Sequence, residues 1–280
     1  MNFFQSNVLP MIDDLAFWVK VYALIVSILG VIISTIKLGR LWRTRHLRKV
    51  WGIKNGEYVI VVCSELDNAF ERQNVEPKEF IYNLKYGDVD AYFEVIITLL
   101  RLYPNIKLRI MSAGEAENTR IDLAQHLILI GGPDYNILTA KILKKNITRY
   151  DYKSPDVAIQ SNNYPDEIVL YDKISNNEFC ELEDEKDYGY FEKIRNPNNP
   201  ENQILIFGGC HTIGVTGAAK AFSMADSEHG EIPKIVLKNA KLVAKKIKKS
   251  SDFSVLLSAE RIGQTINTPI ADPGNIALVM

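Results

Sequence analysis

Residues 204–219 read ILIFGGCHTIGVTGAA, and residues 127–136 read LILIGGPDYN. In each stretch an unbroken apolar run ends on a pair of glycines. A strand that is apolar at every position is typical of a parallel sheet covered on both faces. A glycine pair at its end permits the sharp turn that leads into a helix. We call the two stretches the glycine corners, and they predict strand–turn–helix units of an α/β domain.

Other apolar runs and helical patterns alternate along the rest of the chain. The predicted strands are 58–63, 107–111 and 253–258, and the predicted helices are 86–103, 136–145, 214–224 and 234–249. This alternation favours right-handed crossovers and a doubly wound, mostly parallel sheet. Residues 51–280 are therefore predicted to form one Rossmann-like α/β domain. Residues 151–200, rich in Asn, Asp, Pro and Tyr, are predicted to be an insertion in it, such as a β-hairpin lying over the sheet.

Residues 15–36 read LAFWVKVYALIVSILGVIISTI, with Lys20 as the only charge. A helix of this length rises about 33 Å, enough to cross a hydrocarbon core of about 30 Å. A buried core helix and a cleaved signal peptide are the alternatives. The leader, residues 1–14, holds two acids and no base, which argues against a signal peptide. The stretch is predicted to be an uncleaved transmembrane helix whose Ser and Thr hydroxyls bond to its own backbone.

The segment after the apolar stretch, residues 37–50, is strongly basic. It contains six Lys and Arg side chains and no acid: Lys37, Arg40, Arg43, Arg45, Arg48 and Lys49. Because cytoplasmic flanks carry the excess of Lys and Arg, the short N-terminus is predicted outside and the domain inside the cell. This predicts a single-pass protein of the inner (cytoplasmic) membrane, with the lipid bilayer as a partner. The basic segment would also attract anionic lipid head groups.

Composition excludes several classes of protein. The 280 residues are 47% hydrophobic, with 33 basic and 34 acidic side chains and a net charge of −1. That balance argues against a disordered chain and against direct DNA or RNA binding. The three cysteines are widely spaced and form no CxxC motif, so neither a disulfide framework nor a metal site is predicted.

The glycine corners are the predicted ligand site. Free backbone N–H groups at a helix start favour an anion, above all phosphate. The chain has neither a strict GxGxxG fingerprint nor a P-loop, so a nucleotide-like ligand is predicted without an identified cofactor. Tight turns with no ligand are the alternative, and Asn136 is equally suited to cap its helix. The predicted ligand-binding residues are Gly131, Gly132, Asn136, Gly208, Gly209, His211, Thr212 and Gly214.

Three side chains near predicted strand ends are candidates for acid–base catalysis: Glu65, Glu115 and His211. The two carboxylates would face the crevice and meet ribose hydroxyls or act as a general base. Exposed loop carboxylates without a role are the alternative. Cys210 precedes His211, but neighbouring residues of an extended chain point to opposite faces, which argues against a thiolate–imidazole pair.

Residues 234–249 hold seven lysines and no acid, with apolar residues at helical spacing. One interpretation is a helix packed on the sheet with a solvated lysine face. The other is contact with the inner membrane leaflet or with nucleotide phosphates.

The two corners also carry a resemblance. The pieces GGPxxN at 131–136, DYG at 187–189, NPN at 196–198 and GGxHxxGxxGAA at 208–219 resemble uncharacterised prokaryotic Rossmann-like proteins. A single N-terminal span joined to such a domain is similar in architecture to membrane effectors of prokaryotic antiviral signalling. That resemblance implies that a nucleotide bound to the domain rearranges the membrane helices of an oligomer.

Three hypotheses on function remain open. The first is a membrane-anchored sensor or effector that binds a nucleotide-like ligand and forms a homo-oligomer through Ser27, Gly30 and Ser34 of the span. The second is a membrane-tethered enzyme acting on a nucleotide, nucleoside or sugar. The third is an anchored scaffold in which the glycines serve packing alone.

Overall fold

The computed structural model describes residues 3–65, 86–153, 168–180, 186–226, 231–247 and 252–279. The chain divides into two compact units, Met1–Arg45 and His46–Met280. Residues 154–167 and 181–185 of the predicted insertion, and Lys248 and Lys249 of the lysine-rich stretch 234–249, lie outside the described residues.

The first unit consists of one helix, α1 (Phe3–Trp51), whose last residues belong to the second unit. Between Phe17 and Trp51 this helix is long and apolar enough, by length and composition, to cross a membrane. None of its most apolar window is buried inside the protein, unlike a core helix. Within that stretch the Ser27 hydroxyl donates to the Ala23 carbonyl, and Thr35 donates to Val31, both at 2.8 Å. The predicted hydroxyl–backbone bonds are thus confirmed for these two residues.

The second unit is built from strands and helices that follow in chain order. The strands are β1 (Tyr58–Cys63), β2 (Lys107–Ser112), β3 (His126–Ile130), β4 (Tyr150–Lys153), β5 (Val169–Asp172), β6 (Glu178–Phe179), β7 (Lys186–Asn196), β8 (Asn199–Gly209), β9 (Phe253–Ile262), β10 (Thr265–Ile266) and β11 (Ile276–Leu278). The helices are α2 (Tyr86–Leu102), α3 (Ala113–Asn118), α4 (Ile137–Leu143), α5 (Thr212–Lys220) and α6 (Lys234–Lys246). A 3₁₀ turn spans Pro273–Asn275.

Within the described residues, eight strands form the main sheet, in the order β10-β9-β7-β8-β3-β1-β2, with β11 paired to β9. Strands β2, β1, β3 and β8 run parallel. Strand β7 is antiparallel to both β8 and β9. Strands β4, β5 and β6 form a separate antiparallel sheet. The α/β class is confirmed, and the sheet is mixed, with a parallel half and an antiparallel half.

The antiparallel half differs from the sequence prediction. Strand β7 lies in the predicted insertion, yet it occupies the main sheet between β8 and β9 instead of lying over it. Its charged residues Asp187, Glu192 and Lys193 are typical of an exposed strand, but all three are buried. Each of the three has a hydrogen-bond partner on a distant element of the chain, which a local pattern does not reveal.

Helices cover both faces of the main sheet. One core contains the end of α1 together with α2, α5 and α6, and Trp51 donates from its ring nitrogen to the Phe222 carbonyl at 3.1 Å. In that core the rings of Phe191 and Phe207 stack at 4.6 Å. The other core contains α3, α4 and the small sheet. The parallel strands end at one edge of the main sheet, between the helices of its two faces. A ligand site is expected at the carboxyl ends of such strands.

Glu192 joins the small sheet to the main sheet. One of its carboxyl oxygens accepts a hydrogen bond from the Arg149 backbone N–H at 2.6 Å, while the other has no hydrogen-bond partner among the described residues. The residue is fully buried, and this desolvation raises the pKa of Glu192 to about 8. Nearby, Asp172 accepts from Arg149, which holds the pKa of Asp172 near 2.

We expect Glu192 to make the protein less stable as the pH rises. A carboxyl whose pKa is raised on folding binds its proton more tightly in the folded state, so its stabilising contribution is complete below about pH 4.5 and is lost as the pH passes 8. Glu192→Gln removes this titration. Relative to the variant, the wild type should lose about 2–4 kcal/mol of unfolding free energy between pH 5 and pH 8.5 in urea titrations. Glu201→Gln, at an exposed position on β8, is the control. Parallel pH profiles for wild type and Glu192→Gln would contradict the prediction.

Candidate functional site

The two glycine corners meet at one edge of the main sheet. Strands β3 and β8 are parallel neighbours with Ile130 opposite Phe207, so their carboxyl ends lie side by side. The Gly131 N–H donates to the Phe207 carbonyl at 2.9 Å, which joins one corner to the other. Gly132 of the first corner and Gly209 and His211 of the second line one cavity. The geometry therefore brings both corners to a single place.

This cavity is narrow because an aromatic side chain enters it from the small sheet. The Tyr152 hydroxyl accepts from the Gly209 N–H and donates to the Gly209 carbonyl, each at 3.2 Å. The space left is about 10 Å³, room for about one water molecule. Desolvation raises the pKa of Tyr152 well above its ordinary value, so the hydroxyl stays protonated and can act as a donor. A larger ligand would have to bind at the open mouth or displace this ring.

The N-terminus of α5 already holds a carboxylate of the protein. One oxygen of Asp187 accepts from the backbone N–H groups of His211 at 2.9 Å and Gly214 at 2.6 Å. Its other oxygen accepts from the Tyr188 N–H at 2.7 Å. Burial raises the pKa of Asp187, although these hydrogen bonds favour its charged form. Asp187 thus takes the place that a phosphate would take at this helix end.

Asn136 has a similar role at the start of α4. Its side-chain oxygen accepts from the backbone N–H groups of Leu138 at 3.1 Å and Thr139 at 3.3 Å. Its amide nitrogen donates to the carbonyls of Ile130 at 3.0 Å and Val62 at 3.3 Å. The side chain is completely buried. Asn136 therefore caps α4, which was the alternative to a ligand-binding role. Its amide nitrogen also joins the first glycine corner to β1.

Glu65 caps the next helix along the edge. One of its carboxylate oxygens accepts from the Ser112 hydroxyl at 2.8 Å and from the Gly114 N–H at 2.7 Å. Glu115 lies in the first turn of α3, where its own N–H donates to the Ser112 hydroxyl at 3.1 Å. Neither carboxylate lines the cavity between the corners, whereas His211 does. Among the three candidates for catalysis, only His211 is at the meeting point.

The remaining predicted residues lie around that meeting point. Thr212 begins α5 and is half-buried, and Gly208 faces the ring of Tyr190. Asp88 and the exposed Asp134 also line the cavity, so its lining is acidic. Asp187 was missed as a site residue in the sequence. The DYG element of the resemblance, which contains it, was the only signal that could have drawn attention to it.

Two of the three cysteines, Cys63 and Cys210, are not suited to nucleophilic attack. The Cys210 thiol lines the cavity but donates to the Phe179 carbonyl at 3.3 Å, and burial raises the pKa of this thiol. Burial likewise raises the pKa of Cys63 to about 12. Both groups therefore stay in the less reactive thiol form at neutral pH. No cluster of His, Cys, Asp and Glu that could hold a metal ion occurs among the described residues.

Several glycines of the site are required for backbone packing. A Cβ atom at Gly189 of β7 would overlap the carbonyl oxygen of Gly214 in α5, and one at Gly214 would overlap the carbonyl of Tyr188. Gly131 has φ +97° and faces the Ser64 hydroxyl, which leaves no room for a side chain. Gly132 is different, because a Cβ there would make only ordinary contact with Tyr152 at 3.6 Å. Glycine is thus needed for the close approach of α5 to the sheet.

No protein-family model, no curated protein and no solved structure matches the chain. The resemblance to Rossmann-like proteins and to antiviral membrane effectors accordingly stays a prediction from the sequence.

Proposed function

We propose that this chain is a single-pass membrane-anchored sensor or effector whose α/β domain binds a nucleotide-like ligand where the glycine corners meet. The observation that carries the proposal is the shared cavity, to which Gly132, Gly209 and His211 contribute from two separate strand ends. Ligands of open α/β sheets bind at the carboxyl ends of the strands. We extend this to a Rossmann-like, doubly wound architecture for the domain.

The acidic side chains at this edge of the sheet indicate which part of a nucleotide-like ligand would face the cavity. Asp88 and Asp134 line the cavity, and Asp187 occupies the α5 N-terminus, so a phosphate placed there would meet carboxylates. Carboxylate oxygens accept hydrogen bonds from hydroxyl and amino groups instead. The ribose or base of the ligand would therefore face the cavity, with its phosphates toward solvent.

The membrane anchor of this proposal is the apolar part of α1. None of its most apolar window is buried, and the exposed Trp18 and Tyr22 lie toward one end of the apolar stretch, as in the interfacial belts of membrane proteins. The basic segment that follows favours a cytoplasmic domain and an external N-terminus in the inner membrane. Small residues on the helix, Ser27, Gly30 and Ser34, would permit helix–helix contact in a homo-oligomer.

A membrane-anchored scaffold without a ligand is the second candidate. The caps at three helix starts favour it: Asp187 at α5, Asn136 at α4 and Glu65 at α3. In a scaffold these side chains would satisfy the backbone, and the glycines would serve the packing of α5 alone.

Thermal unfolding of the full chain in lipid nanodiscs separates the candidates. Mononucleotides, cyclic nucleotides and nucleosides are added one at a time. A compound that binds the folded domain and is present at a concentration of a hundred times its Kd should raise the Tm by about 5–10 °C. Gly132→Leu, which fills the cavity mouth, should abolish the shift while the unliganded Tm stays within a few degrees of the wild type. Absence of a shift with every compound favours the scaffold. Conversion of a compound, detected by chromatography, favours a tethered enzyme.

A further inference from the structure

Helix α6 presents a continuous stripe of lysines to solvent. Four of its lysines follow one another at intervals of three or four residues and are all exposed: Lys234, Lys238, Lys241 and Lys245. Residues at this spacing lie on one side of a helix. The helix has no acidic residue, and among the described residues none of these four lysines forms an ion pair. The stripe is thus a concentrated positive surface on a chain whose net charge is −1.

The opposite side of α6 is anchored in the core, which determines the direction of the stripe. Val236, Ala240 and Val243 are buried in the same core as the end of α1. Asn239 is also buried, and its amide donates to the carbonyls of Ala221 at 3.0 Å and Pro269 at 2.8 Å. Its oxygen accepts from the Ala271 N–H at 2.9 Å. Helix α6 therefore cannot rotate to bury its lysines without breaking these bonds.

Helix α6 also packs directly against the last turn of α1. The Lys49 ammonium group donates to the Ala244 carbonyl near the C-terminus of α6 at 2.8 Å. Leu47, Val50 and Trp51 of α1 share the core with α6. The lysine stripe is consequently carried by a helix that packs against residues 47–51, within the second unit.

We propose that the lysine stripe of α6 binds the anionic head groups of the membrane that holds α1. This rests on the membrane anchor of the proposed function. Each lysine near an anionic surface is worth about 1 kcal/mol, a factor of about five in affinity. Because the anchor already holds the domain at the bilayer, such individually weak contacts would suffice to orient it. The apolar residues between the lysines, Ile235, Leu237 and Leu242, are half-buried, so α6 would lie on the surface without inserting.

Lysine footprinting of the full chain in nanodiscs tests this inference. Acetylation rates are measured by mass spectrometry in zwitterionic discs and in discs with about one-third anionic lipid. We expect the four stripe lysines to react at least about three times more slowly in the anionic discs, and the protection to vanish at high salt, where charges are screened within about 3 Å. Lys144 and Lys145, on the face of the sheet opposite α6, are the internal control and should react equally in both. Hydrogen exchange of the α6 backbone is measured in the same two kinds of disc and should be slower in the anionic ones. Replacing the four stripe lysines by Gln should remove this difference, whereas Lys144→Gln combined with Lys145→Gln should not.

The outcomes separate this inference from the proposal on which it rests. Equal reactivity of the stripe in both kinds of disc, with the protein retained, overturns the inference and leaves the anchor intact. Protection that appears only when single-stranded RNA is added overturns it in favour of a nucleic-acid surface. Extraction of the protein from the discs by alkaline carbonate overturns the anchor. In that case co-sedimentation of the same chain with anionic vesicles decides the inference, and failure to bind overturns it as well.

Discussion

Gly189→Ala should strongly destabilise the α/β domain. The added methyl group would overlap the Gly214 carbonyl oxygen. The backbone fixes the position of a Cβ atom and the oxygen is itself a backbone atom, so no side-chain rotation can separate them. To make room, α5 would have to withdraw from β7 and β8, opening the core around Ala218 and Phe222. We expect a loss of at least about 3 kcal/mol, which lowers the Tm of a domain of this size by about 6–12 °C, or leaves no folded protein.

Gly132→Ala is the matched control for this prediction. It also adds one methyl group to a glycine of the site, but its nearest neighbour is the Tyr152 ring at ordinary contact distance. Its Tm, followed by intrinsic fluorescence, should stay within about 2 °C of the wild type. A Gly189→Ala protein as stable as Gly132→Ala would mean that α5 does not approach β7 as closely as described.

Asp187→Ala should have the second-largest effect. The substitution leaves the half-buried N–H groups of Tyr188 and His211 and the buried N–H of Gly214 without the carboxylate that they share. Each such loss costs about 1–3 kcal/mol, although water entering the space would satisfy some of the donors. We expect the free energy of unfolding to fall by about 3–5 kcal/mol.

The Asp187→Ala variant also tests whether the N-terminus of α5 can bind an anion. With the carboxylate removed, the α5 N-terminus would accept an external anion, so excess inorganic phosphate should raise the Tm of Asp187→Ala but not that of the wild type. Asp134→Ala, an exposed aspartate at the same edge, serves as the control and should respond like the wild type. Equal stabilisation of wild type and Asp187→Ala by phosphate would indicate a separate anion site that Asp187 does not occupy.

Much of the parallel half of the sheet was predictable because its strands are locally distinctive. The apolar run at β1 was predicted with its observed bounds, and β3 begins only one residue before the predicted strand. The antiparallel half was not predictable in the same way. An apolar run such as that of β9 contains no information about the direction of its neighbour, and β7 carries charges that conceal its central position.

The candidate site divides along similar lines. The glycine pairs could be placed at strand ends from the sequence, and the parallel pairing of β3 with β8 brings them together. The Asn136 cap was one of the alternatives from the sequence, but the Asp187 cap of α5 could not be assigned, because Asp187 and Gly214 are separated by a whole hairpin in the chain. The sequence predicted phosphate binding because the N–H groups at the helix starts were assumed to be free. At α5 and α3 these groups instead donate to carboxylates of the protein itself.

The sequence by itself determined the α/β class, the position of the parallel strands, the apolar N-terminal helix and the lysine periodicity of α6. All of these depend on the spacing of residue types along a short segment, which the period of a helix or a strand translates directly into a face. Only the tertiary structure decided that β7 lies inside the sheet, that Tyr152 narrows the cavity and that Asp187 closes the N-terminus of α5. These features depend on contacts between distant residues, and their free energy comes from satisfying buried polar groups, which no local pattern records.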